Sequence, residues 1–321
     1  MTIPVLLRPM TADEFVKWSA KSVDFFTQQQ VDAGSAPEDD ARRDAERIFA
    51  EQVPDGLDTR DQHFLRVVAD GEPVGDVWLR VRERSTEVEG YLFDVEVLPA
   101  ARGRGLGRAT MLAVHDHARS LGATVMRLNV FGHNAPALAL YASLGYTVSG
   151  ATMKRTLDEA IPPASASAVV LRDMTPEEYA EFRPRLEEDY AANIAASGAM
   201  PVEEALTKSV EDLDRLLPEG LASSGHRLWT AYDGTDAVGT IWVQLQHRAG
   251  GLHAFGYELE VREDLRRRGY GRAVIEAAFR ACQDLGVRSV GLSVFGFNAG
   301  ARRLYDDLGF RLTAQGMVLP L

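Results

Sequence analysis

Hydrophobic residues alternate, or recur at helical spacing, in the same order twice along the chain. In the first half, alternating apolar positions predict strands near residues 5–8, 64–69, 74–80 and 91–97. A long polar stretch of helical character separates the first two strands, and a helix, another strand and a shorter helix follow the fourth. Strand–helix–strand passages bounded by antiparallel hairpins predict an α/β fold with a mixed, mostly antiparallel sheet flanked by helices.

The second half repeats the first at a constant offset of 164 residues, as from Arg102 to Arg266. The matches extend along both halves and need no gap: Leu7 with Leu171, Trp78 with Trp242, Asn134 with Asn298, Tyr141 with Tyr305, and Met153 with Met317. Between the copies, residues 161–168 are small and proline-bearing, which is typical of a linker. We therefore predict an N-terminal domain at 1–158, a linker at 159–168 and a C-terminal domain at 169–321.

Composition and charge narrow the class of protein. The chain has 321 residues, 45% hydrophobic and 26% charged, so each half can bury a core without a disulfide or a metal. Its single cysteine, Cys282, lies at helical spacing with apolar residues, and we expect a buried thiol. The sequence has no signal-like N-terminus and no apolar stretch of roughly 18 residues, so we expect a cytoplasmic protein without membrane contact. A net charge of -12 opposes nucleic-acid binding and favours a cationic substrate.

A glycine-rich turn stands at the same place in both copies, after the fourth predicted strand and before a helix. Such a helix start leaves backbone N–H groups unpaired at the positive end of the helix dipole, where phosphate binds. The residues predicted to bind an anion there are Arg102, Gly103, Arg104, Gly105, Gly107 and Arg108 in the first copy, and Arg266, Arg267, Arg268, Gly269, Gly271 and Arg272 in the second.

Other phosphate-binding loops do not fit the spacing. A dinucleotide fingerprint would place glycine at 108 or 110, where Arg108 and Thr110 stand. A P-loop would need Gly-Lys-Ser or Gly-Lys-Thr, which the sequence lacks. A turn that only reverses the chain is the remaining alternative, and two copies with arginine at the same places disfavour it.

The pattern R-x-x-G-x-G at 102–107 and 266–271 resembles the acyl-CoA pyrophosphate signature of the GNAT superfamily of N-acetyltransferases. The similarity covers both halves nearly end to end, and it includes an asparagine followed by a tyrosine seven residues later in each copy. The resemblance implies a tandem GNAT protein that uses acetyl-CoA as its acyl donor. It also implies contact of the pantetheine arm with Asn134 and Asn298, although both asparagines are equally expected to cap helices.

The two copies differ at one segment. Leu217-Pro218-Glu219-Gly220-Leu221, followed by His226, is similar to an uncharacterised bacterial branch of the superfamily, and His226 is a candidate for lining the acceptor site. The first copy has Gln62 in place of His226, with His63 one residue later. We therefore favour the second copy slightly as the more active one. A chain in which one domain catalyses and the other is structural stays open.

The resemblance also implies the main parts of the catalytic machinery. Val97 and Val261 would supply a backbone N–H to the thioester carbonyl at a strand bulge, and would bind the pantetheine arm. Tyr141 and Tyr305 would reach the sulfur and donate a hydrogen bond, or a proton concerted with C–S cleavage. The alternative for all four side chains is packing in the core.

The general base is expected among four carboxylates. Asp94 and Glu96 share a strand face by the period of two, as do Glu258 and Glu260 in the second copy. An amine with a pKa near 10 is protonated at pH 7, so a carboxylate could take its proton through water or hold the ammonium. The alternative is that these acids face solvent or pair with arginine.

No metal is expected, because His115 and His117 are two residues apart on a helix and do not face each other. The leading hypothesis is acetyl transfer to a primary amine of a small cationic or amino-acid-like acceptor. Protein N-termini and lysines stay open as acceptors. A non-catalytic acyl-CoA sensor or scaffold is the alternative from another class. We expect the two copies to pack as an internal pseudo-dimer, and a monomeric chain stays open.

Overall fold

The computed structural model describes residues 4–32, 38–157, 169–197, 200–248 and 250–321. No helix within those ranges is both long and apolar enough to cross a membrane. The predicted linker at 159–168 lies outside the described residues. Contacts divide the chain into a first unit, Met1–Ser149 with Gln315–Leu321, and a second unit, Gly150–Ala314.

Both halves fold through the same series of elements. The first half has the order β1 (Leu6–Pro9), α1 (Ala12–Asp32), α2 (Glu38–Gln52), β2 (Gln62–Ala69), β3 (Glu72–Glu83), β4 (Val88–Val97), α3 (Leu106–Ser120), β5 (Val125–Phe131), α4 (Ala135–Ser143) and β6 (Thr147–Thr156). The second half has β7 (Val169–Asp173), α5 (Pro176–Ala196), α6 (Val202–Leu216), β8 (His226–Asp233), β9 (Asp236–Arg248), β10 (Gly251–Val261), α7 (Tyr270–Asp284), β11 (Val287–Phe295), α8 (Ala299–Asp307) and β12 (Arg311–Pro320).

The predicted mixed sheet is present in each unit. Strands β1 to β4 pair in sequence order as antiparallel neighbours, and β7 to β10 do the same in the second unit. The pairs β4–β5 and β10–β11 are parallel, as a connection through a helix requires. The sheet is therefore mostly antiparallel, with a parallel pair where each long helix crosses over.

The sheet of the first unit is buried on both faces. Val77 and Leu79 of β3 belong to the main core, which also contains Met111 of α3. Trp78, between them, faces the opposite side and packs with Trp18 of α1 and other aromatic residues. Helices α1 and α2 thus cover one face, and α3 covers the other.

The larger part of the last strand of each half, from Gly150 in β6 and from Gln315 in β12, lies in the unit that the other half mainly forms. Met153 of β6 is in the core of the second unit, where β6 pairs with β11 from Ser289↔Thr156 to Phe295↔Gly150. Met317 of β12 is in the core of the first unit. The domain limits predicted from the repeat follow the sequence, whereas the compact units exchange these strands.

The hairpin turns of the two copies use different residue pairs. In the first copy Asp70-Gly71 forms the turn with φ values of 53° and 82°. Aspartate-glycine also occurs in the second copy, as Asp233-Gly234, and it too predicts a hairpin turn. That prediction is wrong by one residue, because Asp233 pairs with Asp236 and the two central residues are Gly234 and Thr235. Gly234 stands at the repeat position of Asp70 and takes its positive φ of 63°.

The strand exchange predicts that equivalent substitutions act in opposite halves. Met317→Ala should cost roughly 2–4 kcal/mol, because it leaves a cavity in a well-packed core. Hydrogen exchange should then quicken in β5 of the first unit. Met153→Ala is the matched control and should quicken exchange in β11 instead. Faster exchange confined to the half that carries each substitution would contradict the exchanged arrangement.

Candidate active site

The two parallel strands of each unit separate part of the way along their length. Pairing of β4 with β5 runs from Glu89↔Val125 to Leu92↔Leu128, while β4 continues to Val97 on β3 alone. Pairing of β10 with β11 likewise ends at Gly256↔Leu292, and β10 continues on β9 alone. Each unit therefore has a gap between two strands, with one strand edge facing it.

A β-bulge lies where each gap opens. On β4, Leu92 pairs with Leu79 and Asp94 with Trp78, so Phe93 is the extra residue. On β10 the extra residue is Tyr257. The prediction of a bulge at Val97 and Val261 is therefore wrong by four residues.

The aromatic residues explain why the bulges lie at Phe93 and Tyr257. The ring of Phe93 stacks on that of Trp78 at a centroid distance of 4.3 Å, and Tyr257 stacks on Trp242 at 4.5 Å. The extra residue places the ring of Phe93 or Tyr257 on the sheet face that α1 or α5 covers. The carboxylate that follows, Asp94 or Glu258, stays on the same face.

Backbone groups of β4 and β10 point into the gaps. The N–H of Leu98 donates to Val74 O at 2.8 Å, so by alternation the amides of Val95 and Val97 point away from β3. In the second unit Arg262 N–H donates to Val238 O at 3.0 Å, which turns Leu259 and Val261 in the same way. Sequence reasoning named Val97 and Val261 but missed Val95 and Leu259, although the same period of two indicates them.

The glycine turns open onto free space. Gly105 and Gly269 precede α3 and α7 with left-handed φ values of 78° and 92°. The first helical bonds run from Ala109 to Gly105 O and from Ala273 to Gly269 O, so the amides just before them lack intrahelical partners. A Cβ placed on Gly103, Gly105 or Gly269 meets no atom of the described residues within 4 Å. The turns therefore have room for an anion against the helix start.

The first arginine of each signature ties the turn to the strand. Arg102 Nε donates to Val97 O at 2.9 Å, and Arg266 Nε donates to Val261 O at 3.1 Å. The glycine turn and the end of the strand that borders the gap are thus held together. This bond positions the turn, and anion binding by Arg102 and Arg266 stays a prediction.

The remaining signature residues divide into packed and exposed ones. A Cβ added at Gly107 or Gly271 would lie 3.5 Å from Leu140 or 3.4 Å from Leu304, which is ordinary van der Waals contact, so these two glycines pack against the following helix. The other arginines have these positions: Arg104 beside Asp70 at 3.4 Å, Arg108 donating to Ser143 Oγ at 2.9 Å, Arg272 between Glu276 and Asp307 at 3.8 and 3.7 Å, and Arg267 and Arg268 exposed.

Both asparagines cap helices. Asn134 Oδ1 accepts the N–H of Ala137 at 3.2 Å at the start of α4, and Asn298 Oδ1 accepts that of Ala301 at 3.0 Å at the start of α8. The capping interpretation is confirmed. Contact with a pantetheine arm stays a prediction.

One carboxylate of each predicted pair is desolvated. Burial raises the pKa of Asp94 to about 6, with help from the charge of Glu96 and against a hydrogen bond from Trp18. Burial raises the pKa of Glu258 to about 7, with help from Glu260. The second copy has a phenylalanine at the position of Trp18, which cannot donate. The value is higher at Glu258 chiefly because a glutamate carboxyl ordinarily titrates above an aspartate carboxyl, and the missing donor acts in the same direction.

The other carboxylate of each pair is engaged in an ion pair. Glu96 contacts Lys21 of α1, and Arg102 Nη2 lies 3.9 Å from it. Glu260 Oε2 lies 3.4 Å from Arg185 Nη2 of α5. The two acids of each pair therefore have different surroundings. Burial brings the pKa of one close to neutral pH, and the other forms an ion pair with a basic side chain of the long helix.

The tyrosines lie near the desolvated acids. Burial and the charge of Asp94 raise the pKa of Tyr141 to about 12, and burial and Glu258 do the same for Tyr305. In the second unit Glu258 and Tyr305 line one cavity of about 60 Å³, together with Gly256 and Leu292 at the point where the strands separate. Glu258, a predicted base, and Tyr305, the predicted donor to sulfur, are thus brought together at the gap.

Two histidines have structural roles. His226 is buried in β8, where its Nδ1 accepts the indole N–H of Trp242 at 2.9 Å and burial lowers its pKa. His226 is therefore a buried partner of Trp242, and its candidate role in lining the acceptor site stays a prediction. Gln62 accepts from Trp78 at 2.7 Å in the same way.

His115 and Cys282 are also buried. His115 lies 2.9 Å from Tyr146 Oη, and burial lowers its pKa to about 4. Cys282 is buried as predicted, and burial raises its pKa to about 12. Within the described parts of the chain, no cluster of three or more His, Cys, Asp or Glu residues could hold a metal ion.

Comparison with known proteins identifies the class. The profile of the acetyltransferase (GNAT) family matches residues 24–146 and again residues 188–310. The chain therefore belongs to the GNAT family, with two such domains in tandem, and it is an N-acetyltransferase. Members of the family use acyl-CoA.

The relatives include one with the length of a single copy and two that extend over most of both copies. The uncharacterized N-acetyltransferase YdgE of Bacillus subtilis (strain 168) is 30% identical over 152 residues, which cover 47% of this chain and 97% of that protein. A mycothiol acetyltransferase of Nocardiopsis dassonvillei is 28% identical over 309 residues, covering 84% of this chain and 92% of the relative. A GCN5-related N-acetyltransferase from Sphaerobacter thermophilus shares the fold, with a TM-score of 0.53, 23% identity and coverage of 99% and 97%.

The left-handed glycines predict separable effects on coenzyme binding. Gly105→Ala and Gly269→Ala should each weaken CoA at one of two sites by about tenfold, because a Cβ at positive φ costs about 1–2 kcal/mol and turns the amides away. Calorimetry with CoA measures both sites. Gly122→Ala, at φ 88° beyond the other end of α3, is the matched control and should leave binding intact. Equal losses in the control would mean that strain alone, and not the turn, is responsible.

Proposed function

We propose that the chain transfers an acetyl group from acetyl-CoA to a primary amine by direct attack on the thioester. The observation that carries this proposal is the cavity at the separation of β10 and β11, because it is lined by both Glu258 and Tyr305. A base for the amine and a donor for the sulfur are the two groups that the reaction needs.

Backbone groups would hold the donor. The open amides at the starts of α3 and α7 suit its diphosphate, since glycines there leave space above the helix. The amides of Val95 and Val97, and of Leu259 and Val261, suit the pantetheine arm and the carbonyl oxygen of the thioester. When bound, the thioester supplies the acetyl group: the amine lone pair forms the N–C bond, and the C–S bond breaks with its electron pair on sulfur.

The desolvated carboxylates are the proposed bases. Asp94 and Glu258 accept the proton of the amine, directly or through water, and each is matched to neutral pH by burial. Glu96 and Glu260 are positioning residues, since each is paired with a basic side chain of the first long helix of its copy.

The tyrosines are the proposed donors to sulfur. With a pKa of about 12, Tyr141 and Tyr305 stay protonated at neutral pH. Against a thiol near 8.5, complete transfer of the phenolic proton would be uphill by about 5 kcal/mol. A hydrogen bond to the sulfur as its charge develops, with the final proton coming from solvent, is the favoured role.

The second unit suits a small cationic acceptor. A groove of about 590 Å³ beside β10 is lined by more acids than arginines: Glu178, Glu181, Asp189, Glu260 and Glu263 against Arg185, Arg262 and Arg266. Field focusing in such a groove attracts polyamines and amino sugars. A thiol-release screen with acetyl-CoA and a panel of amines tests the function, and a chain that binds CoA but releases no thiol with any amine would refute it.

When the base of one unit is removed, the loss of activity at acidic pH should report the pKa of the base that remains in the other unit. With Asp94→Asn, activity of the second unit should fall as pH drops through about 7, because Glu258 is then protonated. With Glu258→Gln, activity of the first unit should persist until about pH 6. Each substitution should lower its own unit's kcat by about 100-fold, the usual contribution of a general base.

Glu260→Gln and Glu96→Gln are the matched controls for the base assignment. They remove a carboxylate two residues away, and should change kcat far less than their neighbours do. A larger loss in these variants than in Asp94→Asn and Glu258→Gln would reverse the assignment.

A further inference from the structure

The first unit contains a cavity that differs in chemistry from the equivalent region of the second. It has a volume of about 420 Å³ and lies between α1, α2 and the sheet. Six of its lining residues carry its character: Phe26, Phe49, Trp78, Arg80, Tyr91 and Phe93. Five aromatic rings and one guanidinium therefore surround the same space.

The cavity lies on the sheet face that carries the proposed base. Trp78 pairs with Asp94 across β3 and β4, and Arg80 pairs with Tyr91. Because alternate strand residues share a face, Arg80 lies on the same face as Trp78, about 7 Å along the strand and away from Asp94. The guanidinium therefore lines one end of the cavity, and Asp94, which follows the lining residue Phe93, lies on the same face beyond the opposite end.

Arg80 has hydrogen-bonding capacity to spare. Its Nε is buried and has no hydrogen-bond partner among the described residues. Its Nη2 lies 3.6 Å from Glu89 Oε1, but Glu89 also pairs with Arg84 at 3.0 Å and Arg127 at 3.4 Å. Arg127 also lies 2.8 Å from Glu87, so two carboxylates are shared by three guanidinium groups, and the remaining positive charge at this end of the cavity attracts an anion.

The positive end also disfavours a purely cationic ligand. Aromatic rings alone would suit an ammonium group, but the Arg80 guanidinium already lies 5.5 Å from the centre of the Tyr91 ring and 5.0 Å from that of Phe93. A second cation there would meet like charge. A flat apolar group with a carboxylate satisfies both the rings and the guanidinium.

The second copy lacks these features. At the positions of Arg80, Glu89 and Arg127 it has Gln244, His253 and Gly291, and Leu213 replaces Phe49. Tyr257 Oη donates to Gln244 Oε1 at 3.2 Å, and Asp212, at the position of Ile48, pairs with Lys208 and Arg215. The equivalent surface is therefore polar and carries a carboxylate in place of the Arg80 guanidinium.

We propose that the first unit binds aromatic amino-acid-type acceptors, with the ring among Phe49, Trp78 and Phe93 and the carboxylate on Arg80. The amine then points towards Asp94. The proposal rests on the acetyl-transfer function, and it means that the two units act on acceptors of different charge. Arg80 determines specificity and takes no part in the chemistry.

Binding can be tested without turnover. 3-Phenylpropionate, which has the ring and carboxylate but no amine, is titrated by calorimetry into the full chain saturated with CoA. We expect one site per chain, weakened about tenfold or more by Arg80→Gln because a charged hydrogen bond is lost. Phe49→Leu, which leaves the Arg80–Glu89 pair in place, should also weaken binding. Gln244→Arg, at the matching position of the second unit, should have no effect.

Turnover then separates the proposal from the function beneath it. In the Glu258→Gln background, we expect acetyl-CoA-dependent thiol release with phenylalanine to show a KM about tenfold below that with phenylethylamine. Arg80→Gln should remove the difference through KM, with kcat nearly unchanged. The proposal would be overturned if wild-type protein failed to bind 3-phenylpropionate, or if binding were insensitive to both Arg80→Gln and Phe49→Leu. Turnover of polyamines would in that case still support the acetyl-transfer function. Binding without thiol release from any amine would instead overturn acetyl transfer.

Discussion

The separation of one parallel strand pair in each unit is the constraint on which the rest of the site depends. A paired strand has its amides satisfied by its neighbour, and it offers nothing to a ligand. Where β4 leaves β5, and β10 leaves β11, main-chain amides face a gap and side chains from both faces of the sheet can meet. Tyr305 from α8 and Glu258 from β10 line the same small cavity for this reason.

Several local features maintain the gap. The bulges at Phe93 and Tyr257 are held by stacking on buried tryptophans, so they cannot slip without exposing an aromatic ring. Arg102 and Arg266 tie the end of each strand to the glycine turn. The glycine turn at the helix start and the gap between the strands are therefore fixed relative to each other by one side chain in each unit.

Burial then gives different roles to two carboxylates that the sequence alone does not distinguish. Two carboxylates on one strand face repel each other, and a basic side chain from the long helix relieves one of them. The one left without a cation is desolvated and titrates near neutral pH, which is the range useful to a base. The two copies share this plan but differ in the neighbouring pocket. The first copy has Arg80 beside Glu89 there, and the second copy has Gln244 at the position of Arg80.

Much of the fold could be predicted because a gap-free repeat reports the same periodicity twice, and the order of elements and the parallel crossovers agree with it. The strand exchange could not be predicted, because Met153 and Met317 occupy the same position of the repeat. From the sequence, either methionine fits either core equally well. The bulge position depends on a ring stacking across strands, and no single-strand pattern contains that information. The ion pairs of Glu96 and Glu260 join residues far apart, yet basic residues at the matching positions Lys21 and Arg185 were a usable signal.

The most direct test of this account is residue-resolved hydrogen exchange with and without saturating CoA. The account predicts that CoA slows exchange at Val95, Val97, Leu259 and Val261 and in the first turns of α3 and α7. Unchanged exchange at those strand amides, with CoA bound at saturation, would contradict the claim that the separated strands receive the acyl carrier.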